Sequence, residues 1–490
     1  GDKKIVATDS AWKTYPSPVL YDNLFAGETY DARLEITNWN MFNFDDTNWY
    51  TSREVQGPAG KLCAQNIPPI RKVKTIKPVS VKKIKSGVYL VDLGQNISGW
   101  PKIKVEGPAG TIVKMRCGER LFEDNTIDNR KIKAWNREKE VQTDVYILSG
   151  KGMEIWEPKF TYHGFQYIEV TGFPEVPTIE NFTGEAVTTA FDTTGEFTCS
   201  SPLLNKIQEN TVWSYINNFH GFPTDCPTRE KHGWTTDAHI AAETGLYNFA
   251  AAQGYTKYLM DIADEQQPSG QLPGIVPTAG FGYYLSSGVE PGPAWDCASI
   301  LLPWYLYVYY ADENILALHY NTMKRYVDYL SSRAENHIVS FGLGDWGAPN
   351  TKPPVAIIST AYYFKAVQLL GRIAAILEKH DDAKNYGKLA SSIKDAFNNN
   401  FLDPLNGSYG DGSQTSISCA LYQDLVQEEH KAKTAHLLTK KIIENDGKLD
   451  AGILGTKYLI NALSENDYPH IASSIAMQTT MPGWGYWVSQ

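Results

Sequence analysis

The stretch Phe191-Asp192-Thr193-Thr194-Gly195-Glu196-Phe197-Thr198-Cys199-Ser200-Ser201, followed by Pro202-Leu203-Leu204-Asn205-Lys206-Ile207, is where the chain changes its period. Upstream, apolar residues alternate with polar ones, as in Val88-Tyr89-Leu90-Val91-Asp92-Leu93, Lys102-Ile103-Lys104-Val105 and Tyr167-Ile168-Glu169-Val170. Turn signals such as Gly107-Pro108-Ala109-Gly110 separate these runs at short intervals, which is the pattern of antiparallel β-structure. Downstream, Leu203, Leu204 and Ile207 lead toward Trp213 and Ile216 at helical spacing. The fold class that follows is multidomain, β-rich first and all-α second.

The first 55 residues are irregular and aromatic (Trp12, Tyr15, Tyr21, Phe25, Tyr30, Trp39, Phe42, Trp49) and read as a separate β segment or as part of an accessory sandwich. Residues 56–194 read as an accessory β-sandwich and 195–490 as a helical domain. Helical periodicity predicts eleven helices, at 203–218, 235–250, 254–267, 296–310, 312–334, 356–379, 381–400, 413–425, 427–444, 452–464 and 465–477. Consecutive antiparallel pairs joined alternately by short turns and Gly/Pro/Trp-rich loops suggest a closed double ring of helices. Eleven is an odd number for such a ring. The last segment, Met481-Pro482-Gly483-Trp484-Gly485-Tyr486-Trp487-Val488-Ser489-Gln490, reads as a loop leading into a twelfth helix, so the chain is expected to stop short of its last one.

Composition narrows the function. A formal net charge of −10 over 490 residues disfavours a strongly basic nucleic-acid binder. An apolar fraction of 42% suffices for full-sized cores, and 13 Trp with 29 Tyr suit a protein that stacks flat apolar faces on sugar rings, although core filling accounts for most of them. No apolar run reaches the length of about 18 residues that a membrane-spanning helix needs, so no membrane insertion is expected. The start, Gly1-Asp2-Lys3-Lys4, lacks an initiator Met and an apolar signal core and looks like a processed or engineered end. Six scattered cysteines with no CxxC pair argue against a disulfide framework and a structural zinc.

The common nucleotide and nucleophile motifs are missing: there is no GxxxxGK[ST], no GxGxxG in a strand-turn-helix setting, no GxSxG and no HExxH. His239 and Glu243 stand four apart on a predicted helix and could share a metal, but such a lone pair is far more often a surface or core pair. The densest polar cluster lies in Phe222-Pro223-Thr224-Asp225-Cys226-Pro227-Thr228-Arg229-Glu230-Lys231-His232-Gly233-Trp234-Thr235-Thr236-Asp237. One reading is a solvated loop in which Thr235 or Thr236 caps the next helix and Arg229 neutralises Glu230. The other is a stiff loop, braced by prolines, that presents carboxylates at the mouth of a helical ring. Glycosidic cleavage needs such an arrangement: one acid protonates the departing oxygen and a second carboxylate assists. Burial beside an indole and near like charges favours the protonated form that a donor requires.

At this cluster the sequence resembles the bacterial α-L-rhamnosidases, glycoside hydrolase family seventy-eight. Their catalytic loop is commonly Asp-Cys-Pro-Gln-Arg, one or two acidic residues, then Gly-Trp-x-Gly-Asp; here it runs Asp225-Cys226-Pro227-Thr228-Arg229-Glu230, then Gly233-Trp234-Thr235-Thr236-Asp237. Tyr21–Arg33 and Trp156–Tyr167 resemble the family's accessory regions, and Pro293-Ala294-Trp295-Asp296, Gly344-Asp345-Trp346 and Pro482–Tyr486 resemble parts of its helical domain.

The resemblance implies N-terminal antiparallel β-sandwich modules followed by an all-α (α/α)6 barrel. It also implies an inverting glycosidase that removes terminal α-L-rhamnose from rhamnosylated carbohydrates or glycosides without a cofactor. Glu230, four residues before the loop Trp, takes the place of the general acid, and Asp225 and Asp237 those of the hydroxyl-binding aspartates. Trp234, Trp295 and Trp346 correspond to aromatic walls, and Arg229 to a further substrate contact. The substrate class favours a periplasmic or secreted address.

Thr228 and Thr236 replace the family's common Gln and Gly, and the loop is one residue shorter than in many members. The family's general base, a Glu in a Gly-Ala-Thr-Thr-x-Trp-Glu stretch after the Trp-Gly-Tyr segment, would fall beyond Gln490, so these 490 residues alone are expected to be weakly active or inactive. Robust turnover would point to Asp237, Asp345 or Glu290 as a substitute. Two other readings stay open: a non-catalytic glycan-binding protein, and another helical-ring glycosidase of the glucoamylase or trehalase kind.

Overall fold

The structure, a computed structural model, describes residues 3–57, 59–134, 136–278 and 280–489. The chain forms two compact units. The first comprises Gly1–Asn66, Ile70–Ala190 and Cys226–Glu230; the second comprises Ile67–Pro69, Phe191–Asp225 and Lys231–Gln490.

The strands of the first unit are β1 (Lys13–Thr14), β2 (Val19–Asn23), β3 (Gly27–Asp31), β4 (Tyr50–Thr51), β5 (Ile70–Ile76), β6 (Ser80–Lys85), β7 (Val88–Val105), β8 (Ile112–Gly118), β9 (Thr143–Ile147), β10 (Glu154–Trp156), β11 (His163–Thr171) and β12 (Phe182–Thr189). One short helix, α1 (Arg130–Lys133), interrupts them. Ten strands share one hydrogen-bonded network in the order β2-β3-β9-β8-β11-β7-β12-β5, with β6 and β10 also on β7. Alternation explains the layering: in β8, Val113, Met115 and Cys117 are buried while Ile112, Lys114 and Arg116 turn outward. The expected antiparallel pairing holds throughout the sheet except at β3 and β9, which run parallel with Thr29 opposite Val145. Alternation specifies which face a residue takes and carries no strand direction, so the sequence could not reveal this exception. The irregular first 55 residues contribute β2 and β3 to this sheet, whereas β1 pairs only with β4.

Two features hold the sheet together. The buried Asp144 carboxylate accepts from the Glu28 N–H at 2.9 Å and lies 2.9 Å from His163 Nε2, while Glu28 Oε2 accepts from the Lys159 and Phe160 N–H groups. This polar net ties β3, β9 and β11 together, and burial raises the Glu28 carboxyl above its usual range. The second feature is Gly99, at which β7 changes partner from β11 to β12. A Cβ there would stand 1.8 Å from the Glu185 carbonyl oxygen.

The second unit holds α2 (Pro202–Ile216), α3 (Thr235–Asn248), α4 (Ala252–Asp264), α5 (Pro293–Asp296), α6 (Ala298–Tyr310), α7 (Glu313–Arg333), α8 (Val355–Ile376), α9 (His380–Phe401), α10 (Gln414–Tyr422), α11 (Glu428–Glu444), α12 (Ile453–Glu465), α13 (Pro469–Ala476) and α14 (Trp484–Val488) among the described residues. Each of the eleven expected helices is present within a few residues, and the short α5 and α14 are additional. Side-chain caps set several starts: Ser201 accepts from the Leu204 N–H, Asp312 from Ile315 and Ser413 from Ser416. Helix α8 is apolar on nearly every side, and most of its residues are buried. No helix among the described residues is long and apolar enough to cross a membrane.

Gly99→Ala should therefore disrupt the β-unit, because a methyl cannot fit against a fixed backbone oxygen. A loss of about 2 kcal/mol or more is expected in denaturant unfolding followed by β-sheet circular dichroism; parental stability would refute the account of this strand crossing.

Candidate active site

The first turn of α3 is anchored through its backbone. Gly233 and Trp234 run alongside Ile275 and Val276, with the Val276 N–H donating to the Gly233 carbonyl at 2.8 Å and the Tyr258 hydroxyl donating to the same oxygen at 2.9 Å. A Cβ at position 233 would stand 1.8 Å from the Val276 carbonyl oxygen, so only glycine permits this approach. Neither threonine caps the helix, contrary to the solvated-loop reading. The Thr235 hydroxyl donates to the Gly274 carbonyl at 3.2 Å, and the Thr236 hydroxyl to the Ala294 carbonyl at 2.8 Å.

The Ala294 oxygen accepts a second bond, from His239 Nε2 at 2.8 Å. Burial holds the His239 imidazole at a pKa of about 3, with the charge of Lys457 acting in the same direction. The ring is therefore neutral and carries its proton on Nε2, the nitrogen that faces the carbonyl. Thr236 and His239 together fix the Pro293–Asp296 segment against α3. As a result, the Trp234 and Trp295 rings stand 6.5 Å apart at 69°. Trp295 is buried, at 3% exposure. Asp237 is half-buried in the first turn of α3, at the positive end of the helix dipole.

Trp346 stands apart in character, with 57% of its surface exposed. Its neighbour Asp345 is buried and fully used. Its carboxylate accepts from the N–H groups of Gly452, Leu454 and Gly455 at 2.7, 3.0 and 3.2 Å and from the Thr415 hydroxyl at 2.9 Å, tying down the start of α12. Glu290 accepts from the Tyr329 hydroxyl at 2.7 Å and from Arg333 at 2.8 Å. Asp345 thus spends both oxygens on four donors inside the fold, whereas Glu290 receives one donor on each oxygen. Asp296, beside Trp295, is buried, and its Oδ1 has no hydrogen-bond partner. Burial first, and the Glu290 charge second, push its carboxyl well above the usual range.

The remaining site residues lie on the loop before Gly233. At its neck the Asp225 N–H donates to the His232 carbonyl at 3.0 Å, and Asp225 Oδ1 accepts from the His232 N–H at 2.9 Å. Cys226 and Thr228 are buried, Glu230 is half-buried and Arg229 is exposed. The Glu230 N–H donates to Cys226 Sγ at 3.3 Å, closing a single turn. Arg229 acts electrostatically on Glu119, a half-buried residue that accepts from Asn96 at 2.9 Å. Burial raises the Glu119 carboxyl, and Asn96, Arg229 and Arg120 oppose the rise.

Comparison with known proteins gives these residues a context. Residues 192–490 match the bacterial alpha-L-rhamnosidase 6 hairpin glycosidase domain, 82–188 the concanavalin-like domain of the same enzymes and 1–74 the alpha-L-rhamnosidase N-terminal domain. The chain belongs to the bacterial alpha-L-rhamnosidase family. An alpha-L-rhamnosidase of Streptomyces avermitilis is 34% identical over 99% of this chain and 46% of its own length, and one of Formosa agariphila 33% identical over 98% and 52%. Among solved structures, the alpha-L-rhamnosidase of Dictyoglumus thermophilum superposes with a TM-score of 0.93 at 40% identity, over 99% of this chain and 55% of that one. The Streptomyces avermitilis alpha-L-rhamnosidase complexed with L-rhamnose gives 0.93 at 33%, over 99% and 46%. The chain thus spans about half the length of the curated relatives it matches.

Some of this arrangement has no signal in the sequence. His239 and Glu243 do not share a ligand: Glu243 accepts from the Tyr309 hydroxyl at 2.9 Å and from Lys457 at 2.8 Å, while His239 faces Ala294. Among the described residues, no group of three or more His, Cys, Asp or Glu could hold a metal ion. Two pH effects of opposite sign follow. His239 stays neutral when folded and titrates near 6.5 when unfolded, so its contribution falls as pH drops below that value. Between pH 7.5 and 5 the stability advantage of the parent over His239→Gln should shrink by about 2 kcal/mol, read from melting curves at each pH. Asp296 stays protonated when folded and ionises when unfolded, so Asp296→Asn should raise the melting temperature at pH 8 and lose that gain toward pH 4. A gain that persisted at pH 4 would contradict this assignment.

Proposed function

We propose that this protein is a glycoside hydrolase that removes terminal α-L-rhamnose from glycosides or polysaccharides, with Glu230 as the proton donor. What carries the reading is near-complete coverage by an alpha-L-rhamnosidase whose structure holds L-rhamnose, together with a loop in which Asp225, Glu230, Trp234 and Asp237 are each fixed through backbone contacts.

In this reading the helices of 195–490 close into an (α/α)6 barrel, and the β-structure of 1–55 and 56–194 forms accessory sandwich modules. Asp225 and Asp237 accept hydrogen bonds from the ring hydroxyls of the sugar, and Arg229 adds a donor. Trp234, Trp295 and Trp346 supply apolar surface, against which an indole can cover the C6 methyl that distinguishes rhamnose from an ordinary hexose. Trp346, the most exposed of the three, is the natural outer contact, and Trp295 supports Trp234 from below.

Glu230 protonates the glycosidic oxygen as positive charge develops on the anomeric carbon. Inversion then pairs this acid with a second carboxylate on the opposite face, which takes a proton from the attacking water; a separation of about 6.5–9.5 Å leaves room for that water. Asp345 does not fill this role, since its two oxygens already accept four hydrogen bonds within the fold. The chemistry asks nothing of a cofactor.

Glu230→Gln keeps the size and polarity of the side chain and removes its acidity. In an enzyme that releases rhamnose from an aryl α-L-rhamnoside, this change should lower kcat by about 10²–10⁴-fold while leaving rhamnose affinity, measured by calorimetry, within a few-fold of the parent. An unchanged kcat would exclude Glu230. Binding of rhamnose without release from any rhamnoside would favour the glycan-binding alternative.

A further inference from the structure

We infer that Gly164, on β11 of the β-sheet, is a positioning residue for the loop that carries Arg229 and Glu230; the inference rests on the role proposed for Glu230. A Cβ at position 164 would lie 2.5 Å from Thr228 Cγ2 and 2.8 and 3.2 Å from Pro227 Cγ and Cβ. Its three nearest neighbours all belong to the loop and none to the sheet. The absence of a side chain at one strand position therefore sets how closely Pro227 and Thr228 approach.

The strand beneath cannot give way. The Gly164 N–H donates to Gln142 Oε1 at 2.9 Å, and Gln142 Nε2 donates back to the Gly164 carbonyl at 3.1 Å and to the Cys117 carbonyl at 3.3 Å. Gln142 is wholly buried, and Gly164 is in register with Ser98 of β7. The loop above it is a single turn closed by the Glu230 N–H on Cys226 Sγ. A methyl added at 164 would move the loop and leave the sheet where it is. Gly164 touches no substrate; its influence on Glu230 passes through Pro227 and Thr228.

The test compares the parent with Gly164→Ala, with Gly164→Ala/Thr228→Ser, which deletes the methyl in closest conflict, and with Gly57→Ala as a control, where an added Cβ meets nothing. Gly164→Ala should speed amide exchange across residues 226–232 about tenfold and lower kcat on an aryl α-L-rhamnoside by about 10–100-fold, as expected when a reacting group is displaced by a fraction of an ångström. KM should change by no more than a few-fold, because Asp225, Trp234 and Asp237 lie outside the turn that moves and only Arg229 rides on it. The Thr228→Ser change should restore part of both losses, and Gly57→Ala should match the parent. Parental exchange at 226–232 in Gly164→Ala overturns the inference whatever the substrate proves to be. A kcat loss accompanied by a matching fall in melting temperature, with no relief from Thr228→Ser, overturns it as well. A parent that neither cleaves a rhamnoside nor binds L-rhamnose while Gly164→Ala still loosens the loop overturns the functional reading and leaves the seating intact.

Discussion

The second unit is organised around one oxygen atom. The Ala294 carbonyl accepts from Thr236 and His239, residues three apart on α3, and so holds the segment bearing Trp295 against the turn that bears Trp234. Two donors on one carbonyl fix a direction as well as a distance. The cost is a histidine that must remain neutral deep in the core, where desolvation disfavours its charged form. Without this clamp the two indoles would belong to independent loops, and the edge-to-face contact between them would depend on chance encounters of mobile segments.

The same economy governs the carboxylates. In an acidic protein there is no shortage of candidates for acid–base work, and what separates them is prior engagement. Asp345 accepts four hydrogen bonds at the start of α12, and Glu290 is held by an arginine and a tyrosine. Each carboxylate is already engaged by donors within the fold. Asp144 plays the corresponding part in the β-sheet, between the Glu28 N–H and His163. Asp296 is a third kind, buried with an oxygen that lacks a partner, where desolvation favours the protonated form.

The period change after Ser201, the β-to-α order and all eleven long helices were legible in the sequence, because burial of one face imposes a period that the residues record. The short α5 and α14 were not, since one turn or so of helix has no room to display a period. Strand direction at β3 and β9 was invisible for the reason that alternation has no polarity. Of the site, the loop from Asp225 to Asp237 could be singled out by its density of polar residues and its resemblance to a family. Its supports were hidden. His239 and Ala294 are 55 residues apart, and Gly164 and Thr228 are 64 apart; nothing local in either member of a pair names the other. Single-sequence reading finds residues whose type is unusual, and it misses contacts made by ordinary residues that the fold brings together.

Catalytic loops face a conflict between exposure and precision. A carboxylic acid that meets a glycosidic oxygen must be reachable, yet the protonation it performs tolerates little error in position. This chain resolves the conflict through the backbone rather than the side chain. Asp225 and His232 exchange two hydrogen bonds at the neck, Cys226 accepts from the Glu230 N–H inside the turn, Gly233 is locked to Val276 and Tyr258, and Pro227 and Thr228 rest on a glycine that Gln142 grips from both sides. Apart from the Asp225 carboxylate, which accepts from the His232 N–H, these constraints act on main-chain atoms or on the short residues next to them. The consequence is a particular vulnerability. A substitution at Glu230 itself can leave the loop's geometry intact, whereas a methyl group at Gly164 would press on Pro227 and Thr228 and so on the whole turn.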